Sequence, residues 1–135
     1  MMADFIYPSF EAVMEAHNRI VRATGDGHRG VINKSNLKYI LETVRDIGEE
    51  LDDEQEAIKK KATYLMYNIV LSHLFVDGNK RTAFEVTKRF LELNNWVFKP
   101  EEEDAFDKLV SLAAGNLPPD GVESWIGRNL RKRRS

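Results

Sequence analysis

The chain contains no cysteine, so neither disulfides nor thiolate metal sites can hold it together. That composition fits a reducing compartment, and a cytoplasmic protein is expected. Long apolar runs are missing as well. The longest, residues 64–75, is broken by Asn68, Ser72 and His73 and is too short to span a bilayer, so no membrane association is expected. The opening Met1-Met2-Ala3-Asp4-Phe5 has no basic region ahead of an apolar one, and no signal peptide is read there. An excess of charge of one sign is also lacking. Twenty basic residues against twenty-two acidic ones leave a formal charge of -2, too little to favour nucleic acid or an anionic surface as the main partner. No HExxH pattern occurs and no second histidine lies at helical spacing from His73, which argues against a histidine-held metal.

What is present reads as one domain over residues 1–135, because 42% hydrophobic residues in a chain of this length can close a single core. Spacing predicts an all-α bundle of about six helices. A first helix starts at Pro8-Ser9 and places Phe10, Val13, Met14, His17, Ile20 and Val21 on one stripe, with Gly25 as its stop. His17 inside that stripe reads as a core histidine with a hydrogen-bond partner rather than as a catalytic group. Residues 25–33 hold three glycines and no helical period, which fits a loop or a short β-hairpin. Asn33 or Ser35 can cap a second helix that buries Leu37, Ile40, Leu41 and Val44. A third, over residues 53–72, aligns Ile58, Ala62, Leu65 and Ile69 beside Met66 and Val70 and reads as the central helix. After residue 79 the pattern restarts with Ala83, Val86, Phe90, Leu93 and Val97, and Asn94-Asn95 offers a left-handed stop. Pro100 precedes an acidic helix start whose expected inner face is Phe106, Leu109, Val110 and Ala113, ended by Gly115. A last helix turns Val122, Trp125, Ile126 and Leu130 inward and runs into Arg131-Lys132-Arg133-Arg134. Those cations suit a helix C-terminus, and residues 131–135 are expected to form a tail without fixed structure; a phosphate grip is the weaker reading. No repeats and no convincing long strand are found.

The chemistry is concentrated in His73-Leu74-Phe75-Val76-Asp77-Gly78-Asn79-Lys80-Arg81-Thr82-Ala83, between two strongly apolar segments. Gly78-Asn79 at the start of a helix is an arrangement in which backbone N–H groups converge on an anion, and glycine removes the obstacle to close approach. Lys80 and Arg81 add positive charge there, the arginine able to form paired hydrogen bonds to phosphate. Asp77 would repel bare phosphate, so its place is best explained by a Mg²⁺ ion shared with phosphates. His73 carries the side chain best suited to take a proton from an attacking hydroxyl near neutral pH. Together these point to phosphoryl or nucleotidyl transfer from a Mg²⁺-nucleotide. Singly they also fit a helix-end histidine, an ordinary turn, and a capping box of Thr82 with Glu85.

The order His73-x-Phe75-x-Asp77-Gly78-Asn79-Lys80-Arg81 resembles the HxFx(D/E)GNxR signature of the Fic/Doc family. Lys80 makes it similar to the Doc (death-on-curing) branch, since AMP-transferring Fic proteins usually have glycine there and a further arginine where this chain has Phe84. Weaker likenesses are Ala16-His17, the glycine-rich segment before Leu37, and Leu112 to Gly115 with Trp125-Ile126. The resemblance implies an all-helical Fic/Doc fold and a transferase using ATP and Mg²⁺. It implies His73 as the base, Asp77 as the Mg²⁺ ligand, Gly78, Asn79, Lys80 and Arg81 as the phosphate nest, and Phe75 as the anchor of the loop. It sets residues 25–33 where the family has its target-docking flap. By analogy with Doc toxins, the terminal phosphate would go to a hydroxyl of a protein such as elongation factor Tu. AMP transfer, or a catalytically silent antitoxin- or nucleic-acid-binding member, are the alternatives. No Ser or Thr has Glu four residues later, so the inhibitory helix of many Fic proteins is missing, and an antitoxin acting in trans is expected.

Overall fold

The central helix forms where the spacing places it. In the computed structural model, which describes residues 4–24 and 33–134, α3 spans Glu54–Leu71 between the caps Asp53 and Ser72. Ile58, Ala62, Leu65, Met66 and Ile69 are fully buried along it, and Val70 is nearly so. Each aliphatic side chain of this size contributes roughly 1.5–3 kcal/mol when taken out of water, so Leu65→Ala would break the core near its middle. α3 packs on α4 (Asn79–Leu93), α6 (Pro119–Arg128), α5 (Glu102–Ala113) and α2 (Lys34–Thr43), while α1 (Phe10–Thr24) lies against α4 and α2. Among the described residues the architecture is therefore the expected all-α bundle of six helices around a helix-loop-helix.

Local chemistry sets the helix ends. Ser9 Oγ accepts the Ala12 N–H at 3.1 Å at the start of α1, and Asn33, not Ser35, caps α2 by accepting from Asn36 N–H at 3.3 Å. Asn95 is left-handed after α4, and Gly115 is left-handed after α5. Of the expected loop or hairpin over residues 25–33 only Asn33 is described, as the N-cap of α2; the rest of it and the stop at Gly25 lie outside the described residues.

Three expectations are corrected, and one alternative reading is set aside. Leu93 is largely exposed and Val97 does not continue the helix, because α4 ends and the chain enters strand β1 (Trp96–Phe98). The tail is not an unstructured extension of the last helix. α6 stops at Arg128, and Leu130–Lys132 forms β2, antiparallel to β1 with Val97 opposite Arg131. Lys132 is anchored further, by Glu54 at 2.7 Å and by the Trp96 ring at 4.8 Å. On α5 the inner face is Ala105, Leu109 and Leu112, whereas Phe106 and Val110 point outward and Ala113 is exposed. Finally, Thr82 and Glu85 form no capping box, since the helix begins at Asn79 and Thr82 is already inside it.

Lys61 is a fully buried cation in the middle of α3. Its Nζ donates to the carbonyls of Val44 and Arg45 at 3.3 and 3.0 Å, and reaches Glu49 at 3.3 Å. It thus meets the negative end of α2, where a cation is favourable, and so escapes the cost of an unpaired buried charge. The rings of Phe5 and Tyr7 cover it, with centroids 5.6 and 5.4 Å away. On α5, Asp104 accepts from Lys108 at 2.9 Å and from Trp125 Nε1 at 3.1 Å. The lysine hydrogen bond is the main reason that this carboxyl sits below its usual range.

Candidate active site

The loop between α3 and α4 alternates between solvent and core. His73 and Asp77 face outward with Val76, while Leu74 and Phe75 are buried. His73 has a left-handed backbone, φ 47, unusual for a residue with a Cβ, and it turns the chain out of α3. Strain of this kind costs about 1–2 kcal/mol and persists only where the surroundings hold it.

Two side chains from opposite sides fix the loop. Asn79 Oδ1 accepts the Phe75 N–H at 3.1 Å, and Asn79 Nδ2 donates to the Phe75 carbonyl at 2.8 Å, so one amide closes the loop as a neighbouring strand would. From α1, the imidazole of His17 stacks on the Phe75 ring with centroids 3.8 Å apart and planes 11° from parallel. His17 Nε2 also lies 2.8 Å from the Asp77 carbonyl. A carbonyl only accepts, so Nε2 carries the proton.

Gly78 then turns left-handed, φ 81 and ψ 15, as the N-cap of α4. Only glycine takes this conformation without penalty. A Cβ here would reach the His17 ring at 3.5 Å. Among the described residues no side chain caps this helix start. The first helical bond runs from Thr82 N–H to the Gly78 carbonyl at 2.9 Å, so the N–H groups of Asn79, Lys80 and Arg81 have no intrahelical acceptor. Lys80 and Arg81 are exposed beside them, and neither forms an ion pair among the described residues. Backbone donors, helix dipole and two cations together make a place for an anion of more than one charge.

The loop thus brings His73, Asp77, Gly78, Asn79, Lys80 and Arg81 into one short segment, and turns Phe75 away from them into the core. Among the described residues no three acidic or histidine side chains gather in a metal-holding group. The exposed carboxylate of Asp77 suits a Mg²⁺ ion that arrives with phosphate oxygens, since that ion is commonly held by one or two carboxylates and its substrate's phosphates. Beyond Arg81 a groove of about 550 Å³ runs along α4 to β1 and α5, with Phe84, Phe98 and Phe106 among its walls and Lys88 and Lys99 at its rim. That volume is within the range of small-ligand clefts. His17 is the residue whose part in this loop the sequence conceals, because its partner lies sixty positions away.

No helix among the described residues is long and apolar enough to cross a membrane. The sequence model of a family described as "Fic/DOC family" matches residues 7–91, which include the loop and both helices that flank it. No curated protein matches the chain.

Proposed function

This chain belongs to the Fic/DOC family, and from that membership we propose that it transfers the terminal phosphate of Mg²⁺-ATP to a hydroxyl of a protein substrate. Members of the family are commonly ATP-dependent transferases of AMP or phosphate. In the proposed reaction His73 removes the proton from the acceptor hydroxyl as its oxygen bonds to the γ-phosphorus. The bond from that phosphorus to the bridging oxygen breaks, and ADP leaves. The open N–H groups at the start of α4, with Lys80 and Arg81, neutralise the phosphate oxygens. Mg²⁺, held at Asp77 and on the phosphates, would add charge neutralisation there.

The observation that carries the choice of phosphate over AMP is the groove that Arg81 shares with Phe84. An aromatic wall gives a nucleotide base a surface to stack on, and Arg81, itself part of the nest, also lines this groove. With the base in the groove, the phosphates run across Arg81 towards His73, and the terminal one comes nearest to the base that activates the acceptor. AMP transfer needs the α-phosphate at His73 instead.

A separately encoded antitoxin in the same compartment is the proposed restraint, since the chain lacks a self-inhibitory sequence. The basic end gives the nucleic-acid reading little support, because Lys132 is engaged by Glu54 and Trp96. Incubation of a cell extract with ATP labelled on either the α- or the γ-phosphate tests the reading. Label retained on protein from γ-ATP alone is the expected result, and retention from α-ATP would replace it with AMP transfer.

A further inference from the structure

We infer that His17 is a positioning residue: through the Asp77 carbonyl it aims the Gly78 N–H at the anion that the loop binds. The peptide between Asp77 and Gly78 is trans, as are all the described ones. In a trans peptide the C=O and N–H point in opposite directions. Holding the Asp77 oxygen 2.8 Å from buried Nε2 therefore turns the Gly78 N–H away from α1. Among the described residues no acceptor meets that N–H, which leaves it available beside those of Asn79, Lys80 and Arg81.

Packing alone does not account for a histidine here. The ring is completely buried. With Nε2 donating, Nδ1 is left as an acceptor, and it has no partner among the described residues. An orphaned buried polar atom is destabilising, and a phenylalanine would stack on Phe75 without it. What phenylalanine cannot supply is the donor to Asp77. Phe75, stacked at 3.8 Å, holds the imidazole in the plane that this hydrogen bond requires. The arrangement acts on the ligand only through the backbone, so His17 touches no reacting atom.

The functional part of this inference rests on the phosphate-transfer reading, and its structural part does not. Three variants of the full chain separate them. His17→Phe keeps the ring and removes the donor. His17→Leu also removes the donor, with a smaller side chain and without the ring, should the phenylalanine variant fail to fold. His17→Gln restores a donor nitrogen the same number of bonds from Cα. Unfolding midpoint, the Gly78 amide resonance and affinity for Mg²⁺-ATP are read for each. The expected result is that the apolar variant binds about tenfold more weakly, the effect of losing one well-aimed hydrogen bond to a charged group, and raises KM more than it lowers kcat. Its Gly78 resonance moves while its unfolding stays cooperative, and His17→Gln recovers most of the affinity. If the apolar variant matches the wild type in both Gly78 resonance and affinity, the inference falls. If the wild type itself binds no nucleotide, the phosphate-transfer reading falls, and the same comparison is made with inorganic pyrophosphate.

Discussion

α3 begins with Asp53, whose carboxylate accepts the Glu56 N–H at 3.0 Å, and carries Glu54 and Glu56 in its first turn. α4 begins with Gly78, which has no side chain to offer, and places Lys80 and Arg81 where α3 places its acids. The first arrangement is what an isolated helix favours. A capping side chain is worth about 1 kcal/mol and acids in the first turn a few tenths more, whereas cations there oppose the dipole. α4 forgoes both contributions. Its packing on α3 and α1 supplies the stability that its start gives up, and the open donors remain for a charge that comes from outside the chain.

Three substitutions can break or sharpen this contrast. The largest effect is expected at His73, the residue immediately before the two buried members of the loop. His73→Gly should lower the rate of transfer about 10²- to 10⁴-fold, the usual loss when a general base is removed. The unfolding midpoint should hold or rise, because glycine takes the left-handed φ of 47 without a Cβ penalty. Activity and melting are measured on the same preparation, and a parallel fall in both would make His73 a structural residue. The middle effect comes from writing the α3 pattern into α4. Lys80→Glu puts an acid into the first turn of α4, which should leave stability unchanged or slightly raised while weakening Mg²⁺-ATP by about a hundredfold. Calorimetry showing equal affinity would mean that the anion does not sit at this helix start. The smallest effect is on the other side of the comparison. Asp53→Ala should cost about 1 kcal/mol in denaturant unfolding and nothing in nucleotide affinity. A loss of affinity there would show that the two helix starts are not independent.

The helices and the loop between α3 and α4 were legible because apolar spacing and turn residues are local signals. Ile58, Ala62, Leu65 and Ile69 could be aligned without knowing what they pack against. The misreadings share a cause, which is dependence on distant neighbours. On α5, both Phe106 with Val110 and Ala105 with Leu112 fit helical spacing around Leu109, and hydrophobicity favoured the larger pair. The buried position takes the alanine, and Phe106 instead walls the groove. Lys61 is the last of three consecutive lysines at 59–61, and only the carbonyl end of α2 explains its burial. Arg131 and Lys132 looked like a helix end because their strand partners, Val97 and Trp96, are far away in sequence. At the site, the residue types and their spacing were readable along the loop itself. The direction of the backbone donors depends on His17 in α1, which no local pattern connects to Asp77.

Asparagine appears at both ends of α4, and it fastens them in the same manner. Asn79 holds Phe75 by two hydrogen bonds. Asn94 accepts from the Ile6 N–H and donates to the carbonyls of Ile6 and Phe90. In mechanical terms α4 is a beam built in at each end, and tilting it against the core would tear one of these clasps. A regulator that silences this loop has little leverage for bending it. Covering the anion site, or filling the groove beside it, leaves both clasps intact.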